Sequence, residues 1–278
     1  MVLLLIVSFI WAFSFGLTKG RLAGLDSAFI SAARLGLALL VFLPFLRLRG
    51  LAPRVALSLV AIGAVQFGLM YLALNESYRH LQAYEVVLFT ITTPVFVTLF
   101  ADALDHRLRG RALLAALLAV AGTLVVTQRP GGIAPTLTGV LLVQLSNAAF
   151  AAGQVWYQRV RAAHPKLRDQ EVFALLYAGA FVLAAVVMAG RVDLARLAVT
   201  SAQGWTLLYL GVLASGVGFF LWNVGATRVS SGVLAVMNNA KAPLGVACSL
   251  LFFGETAAPL PLVASLAILG FAVWLARR

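Results

Sequence analysis

"ESYRHLQAYEVVLFTITTPVFVTLF" (residues 76–100) and "GATRVSSGVLAVMNNAKAPLGVACS" (residues 225–249) line up without a gap when the chain is slid along itself by 149 positions. Arg79 then falls on Arg228 and Pro94 on Pro243, each proline near the middle of an apolar run. A shift near 139 lays "WAFS" (11–14) over "FAAG" (150–153), a longer loop absorbing the difference. Identity between the halves is weak. The hydropathy pattern and the paired prolines persist, so the chain reads as two repeats, 1–129 and 130–278.

Composition says where these repeats live. The chain is 62% hydrophobic and 11% charged, with a mean hydropathy of +1.00. Soluble domains are about one quarter charged, so an ordinary soluble domain is excluded. A helix needs roughly 20 apolar residues to cross the hydrocarbon core. Ten runs approach that length: 2–18, 28–46, 55–74, 83–101, 112–127, 137–158, 171–190, 205–226, 232–253 and 260–276. The connections between them are short and polar ("RLRGLAPR", "DALDHRLRGR", "QRPGGIAP", "RVRAAHPKLRD"), with no room for a separate soluble domain. Five spans per half is an odd number, so the second half must enter the membrane in the opposite orientation. The expected fold is all-α and polytopic, ten transmembrane helices as two inverted five-helix repeats. Such repeats build many secondary transporters, whose substrate site lies near the midplane where the halves meet.

The net charge of +12 follows from topology rather than from nucleic-acid binding. With a cytoplasmic N-terminus, thirteen basic residues fall in cytoplasmic segments: Arg47, Arg49, Arg54, Arg107, Arg109, Arg111, Arg159, Arg161, Lys166, Arg168, Arg228, Arg277 and Arg278. Six fall outside: Lys19, Arg21, Arg79, Arg129, Arg191 and Arg196. By the positive-inside rule both termini are cytoplasmic. Arg34 and Lys241 lie within spans. The opening "MVLLLIVSFIWAFSFG" lacks a basic leader and an A-x-A cleavage site, so it reads as a true span with a few residues missing upstream. Cys248 lies mid-span and reads as a small buried hydrophobe.

Ten spans in about 280 residues, "TPV" in the fourth span before a basic loop, and "APLGVACSLLFFGE" (242–255) running out of the ninth span resemble the drug/metabolite transporter superfamily. The likeness is to its EamA-type members and covers the whole chain. It implies a multi-pass protein of the bacterial inner membrane that moves amino acids, metabolites, nucleotide sugars or sugar phosphates. "WNVG" (222–225) and the chain length are most similar to bacterial aromatic amino-acid exporters of the YddG type.

Candidate site residues come from polar groups placed where lipid would otherwise be. Pro94 and Pro243 remove a backbone donor and free the carbonyls of Thr90 and Asn239, which makes them hinge or gating candidates. Asn238, Lys241 and Gly245 share a helix face, as do Glu85, Phe89, Thr92 and Phe96. Lys241 is either a structural lysine bonded to carbonyls or the cation that attracts an anionic solute, with Asn238 orienting it. Glu85 is either an interfacial carboxylate near Arg79 and His80 or a proton site. Arg34 snorkels outward, bonds a neighbouring helix, or stands as the next candidate cation. The sixth span offers Asn147, Phe150, Gln154 and Tyr157 at helical spacing, with Trp156 adjacent. The first offers Trp11, Ser14 and Thr18; the third Gln66, Phe67, Met70 and Tyr71; the eighth Phe219, Trp222 and Asn223. Amides facing lipid would be unsatisfied, so these stripes suggest one aromatic and amide-lined cavity.

The expected function is a secondary transporter exporting small amphipathic metabolites, aromatic or apolar amino acids first, by alternating access. It needs no cofactor or metal, and its partners are the solute and the bilayer; oligomeric state is left open. A nucleotide-sugar or sugar-phosphate carrier is the rival, although phosphate usually recruits several cations. A passive channel is the other alternative. A small-multidrug-type exporter would need an acid in the first span, and none precedes Asp26. An enzyme is disfavoured because His80, His106 and His164 lie in loops and no H-E-x-x-H, G-x-S-x-G or Walker A pattern occurs.

Overall fold

The computed structural model describes residues 1–127, 136–244 and 259–277. Gly245, Cys248, Arg129, Arg278, the end of the ninth run and the boundary between the two expected repeats lie outside the described residues. Within them the chain is helical, with no strand. The helices are α1 (Val2–Arg21), α2 (Ser27–Phe42), α3 (Pro53–Ser77), α4 (Ala83–Thr90), α5 (Thr93–Asp105) and α6 (Gly110–Thr127). They continue with α7 (Leu137–Ala163), α8 (Asp169–Arg191), α9 (Ser201–Ala226), α10 (Ser231–Met237) and α11 (Pro259–Arg277). Among the described residues five segments are long and apolar enough to cross a membrane: Ser27–Phe45, Pro53–Ser77, Glu85–Asp105, Asp169–Arg191 and Ser201–Ala226. Their outward faces keep large apolar side chains such as Leu57, Leu99, Val186 and Trp205 exposed, the inverse of a soluble surface.

Local chemistry sets the helix starts. The Asp26 carboxylate accepts from the Ala28 N–H at 2.8 Å, Thr136 from Gly139 at 3.2 Å, and Ser230 from Val233 at 3.3 Å, each satisfying an N-terminal donor. Pro53 opens α3, where its missing N–H is harmless. α3 and α8 pack almost backbone to backbone: a Cβ on Gly63 would stand 1.8 Å from the Leu176 carbonyl oxygen, and one on Gly179 2.0 Å from that of Val60.

Two irregularities occur in pairs. The α4–α5 span is interrupted at Ile91–Thr92, and α10 ends in a turn over 238–240 before a helical turn at 241–244. Each interruption ends two or three residues before its proline, so each proline sits in the first turn of a restarted helix rather than kinking a continuous one. The second pair is a π-helical stretch in α3 (Ala64–Leu69) and another in α9 (Leu210–Val217). Such stretches leave carbonyls without their usual partners and occur often at functional sites.

Candidate functional site

A buried aromatic cluster fills the middle of the bundle. Phe67 and Phe219 stack at 4.6 Å between centroids, Trp11 lies 4.9 Å from Trp222 and 5.1 Å from Phe219, and Phe150 meets Trp11 edge-on at 5.8 Å. Polar pairs fix these rings. Gln66 and Asn223 exchange both amide bonds across α3 and α9 at 2.8 and 3.2 Å, fully buried. The Trp222 indole donates to Gln154 at 2.9 Å, and Asn238 reaches the same oxygen at 3.4 Å. In the α9 π stretch, Trp11 donates to the Ala214 carbonyl at 2.9 Å, and the Tyr177 hydroxyl to Ser215 and Gly216 at 2.7 and 2.8 Å.

Against this cluster lies a cavity of about 70 Å³. α1 lines it with Trp11, Ser14 and Thr18, α2 with Arg34, and α3 with Met70, Tyr71, Leu74 and Asn75, followed by Tyr78. Thr90 and Thr93 flank it at the α4–α5 interruption; Ser146, Asn147 and Phe150 come from α7, Phe219 from α9, and Lys241 from the restarted helix after α10. Thr18, Asn75 and Tyr78 also line a vestibule of about 220 Å³ bounded by Leu22–Leu25, Ser27 and Arg79, so these three side chains stand between the cavity and that face. At its rim, Glu76 accepts from Ser27, Arg79 and Arg191, tying α2, α3 and α8 together. At the other end of the helices Asp105 pairs with Arg109 and Arg159, and Gln158 donates to the Ala226 and Val229 carbonyls at 2.7 and 3.2 Å.

Both interruptions are satisfied by amides. Asn147 donates to the Phe89 carbonyl at 2.8 Å and to the Thr92 hydroxyl at 3.0 Å, while Gln144 accepts from Thr92 at 2.7 Å. Asn239, in the second interruption, donates across to the Ile91 carbonyl of the first at 2.9 Å and to Ala119 at 3.2 Å. The carbonyl of Thr90, expected to be freed by Pro94, takes the Thr93 hydroxyl at 2.6 Å.

Of the residues singled out from sequence, Trp11, Ser14, Met70, Tyr71, Asn147, Phe150 and Lys241 are brought together around the cavity. Phe67, Gln154, Trp222 and Asn238 are buried beneath or beside it as support. Phe89 and Thr92 serve the α4 end through their backbone and hydroxyl. Glu85 is buried, its carboxylate accepting from the Gln82 N–H at 2.8 Å in a capping role. Trp156 points away, 38% exposed on the outer face, because it lies two residues from Gln154 and hence on the opposite side of α7. Arg34 does not snorkel; it is 4% exposed and bonds α1, α3 and α9. Asn75, Tyr78, Thr90, Thr93 and Ser146 join the lining without a sequence signal that singles them out. Among the described residues no group of three or more His, Cys, Asp or Glu gathers as a metal site.

Comparison with known proteins agrees with this architecture. A crystal structure 18% identical in sequence superposes with a TM-score of 0.77 over 99% of this chain and 96% of its own. The profile of the EamA-like transporter family matches residues 1–128. The biotin transporter of Salmonella typhimurium is 39% identical over 100% of this chain and 93% of its own length. That of Escherichia coli K12 is 41% identical over 90% and 84%, and the probable biotin transporter of Pseudomonas aeruginosa 43% over 91% and 89%. These full-length relatives carry the superfamily resemblance; the narrower likeness to YddG-type exporters finds no support among them. A helical bundle built around one buried polar cavity, with end-to-end kinship of this degree, belongs to the EamA-like transporter family, and the chain is a membrane transporter of small molecules rather than an enzyme.

Proposed function

We propose that the chain carries biotin across a bacterial inner membrane by alternating access through the cavity lined by α1, α2, α3, α7 and α9. The observation that carries this reading is the cavity's chemistry: two cations, Arg34 and Lys241, set among aromatic rings, hydroxyls and amides. Biotin presents one carboxylate on an aliphatic chain, a fused ring pair with apolar faces, and a cyclic urea with two N–H donors and a carbonyl. The cations suit the carboxylate, the rings of Trp11, Phe150 and Phe219 suit the apolar faces, and Thr90, Thr93, Ser146 and Asn147 offer partners for the urea. Lys241, whose ammonium lies 6.0 Å from the Trp11 ring centroid, adds to the positive field that draws an anion in.

Ten spans in two inverted repeats, 1–129 and 130–278, remain our reading of the topology. Its support is the pairing of the interruptions near Pro94 and Pro243 and of the π stretches in α3 and α9 at equivalent places in the two halves. On this reading both termini are cytoplasmic, the vestibule faces outward, and Pro94 and Pro243 mark the hinges on which the halves exchange access. The Glu85 carboxylate is committed to a helix cap, so a carrier that follows the biotin gradient in either direction needs no proton from it. Aromatic amino acids are the second reading, favoured by the ring cluster. Against them, an α-ammonium entering the cavity would meet Arg34 and Lys241, and no carboxylate stands among the described lining residues.

Uptake of labelled biotin into liposomes holding the purified protein tests this choice. Unlabelled biotin should compete, and tryptophan, phenylalanine and a nucleotide sugar should not. Competition by tryptophan with none by biotin would reverse the assignment.

A further inference from the structure

We infer that Arg34 is the specificity-determining anchor for the carboxylate of the transported solute, and that Lys241 supplies field rather than the holding contact. The inference rests on the carrier reading of the cavity given above. Arg34 is 4% exposed, lies midway along α2, and borders the cavity. Its Nε donates to the Ser215 hydroxyl at 3.1 Å, one terminal nitrogen to the Tyr71 hydroxyl, and the other to Thr18 at 3.4 Å. The Ser215 hydroxyl donates to the Leu210 carbonyl at 2.8 Å, so it acts as acceptor toward Arg34 and toward Tyr71, whose oxygen stands 2.9 Å away.

All three partners are neutral, and among the described residues no carboxylate forms an ion pair with Arg34. A guanidinium buried on hydroxyls alone keeps most of its desolvation cost until an anion joins it. Three of its five N–H groups are engaged, leaving one on each terminal nitrogen to donate to a solute carboxylate. The holder is preorganised: the π stretch that presents Ser215 is pinned by the Trp11 indole and the Tyr177 hydroxyl. The position also suits capture, because Thr18 belongs to both the cavity and the vestibule.

The test compares biotin with biotinol, its neutral alcohol, as competitors of labelled biotin in proteoliposomes, alongside thermal stability of the purified chain. Wild-type protein should prefer biotin by roughly 10- to 100-fold, the range of a charge-assisted contact. Arg34→Gln should bring that preference close to one, while Lys241→Gln weakens biotin yet keeps most of the preference. Preference retained in Arg34→Gln, or lost in Lys241→Gln alone, would overturn the inference. Should Arg34→Gln fail to fold, Arg34→Lys decides: it keeps the charge but not the fork, so a reduced preference at unchanged melting temperature supports the anchor, and a full preference removes it. If wild-type protein moves no biotin, the substrate reading alone falls. Arg34 is then judged by thermal stabilisation of wild type and Arg34→Lys with aromatic carboxylates against their alcohols, equal stabilisation by both classes counting against it.

Discussion

Replacing Asn239 tests whether the two interrupted helices are held to each other by this one amide. Asn239 is 1% exposed and donates to the carbonyls of Ile91 and Ala119 at 2.9 and 3.2 Å. The Ala119 oxygen keeps a second donor, the Thr123 hydroxyl at 2.8 Å, so Asn239→Ala chiefly orphans Ile91 at the break between α4 and α5. One buried carbonyl left unsatisfied costs about 1–3 kcal/mol, and that is the expected loss. Asn239→Asp keeps the shape but replaces the donor by an acceptor aimed at two carbonyl oxygens, so it should be less stable than the alanine variant. The assay is thermal unfolding of the detergent-purified protein, with biotin uptake measured in parallel. Aspartate tolerated as well as asparagine, or alanine without effect, would refute the cross-cap.

A reporter active only in the cytoplasm should be active when fused after Arg278 and silent in the 128–136 connection; the reverse would invert the assignment of faces. Gly179→Ala should cost about 1–3 kcal/mol or more through overpacking, because its Cβ would stand 2.0 Å from the Val60 oxygen, whereas Gly190→Ala on the same helix, with nothing within 4 Å, should be silent in a melting assay. Phe150→Leu keeps apolar bulk but loses ring contact with Trp11, Phe219 and Trp222. It should raise the KM for biotin by roughly 2- to 10-fold, the worth of an aromatic contact, and a KM like that of wild type would show that the ring does not touch the solute.

Much of the architecture was legible because lipid imposes a strict code. Runs of about 20 apolar residues locate helices, and the observed ones fall on or within a few residues of the expected stretches, as with 171–190 against Asp169–Arg191. Prolines in mid-span announced Pro94 and Pro243 as weak points, but a kink and an interruption look alike in sequence, and the flanking Asn147 and Asn239 amides decide which forms. The cavity was legible only where a residue was conspicuous: Lys241, Asn147, Phe150 and Trp11 stand out in an apolar run. Thr90, Thr93 and Ser146 do not, since hydroxyls are common in membrane helices, where they bond the preceding turn. Arg34 was ambiguous because distance from a span end does not say which way an arginine points; its hydroxyl partners lie 16, 37 and 181 residues away. Trp156 adjoins Gln154 and Tyr157 in sequence, but the helical turn sends it to the opposite side from Gln154. The π stretches leave no local signature, because their register is set by what packs against them.

The most direct test of the proposed carrier is counterflow. Liposomes containing the purified protein are loaded with unlabelled biotin and diluted into a trace of labelled biotin. A carrier that exposes one cavity alternately to each side should drive transient accumulation of label above its outside concentration, abolished when the preload is omitted and saturable with biotin. Label that only equilibrates, at a rate indifferent to the preload, would contradict alternating access and indicate a channel, and no protein-dependent entry of biotin at all would contradict the substrate.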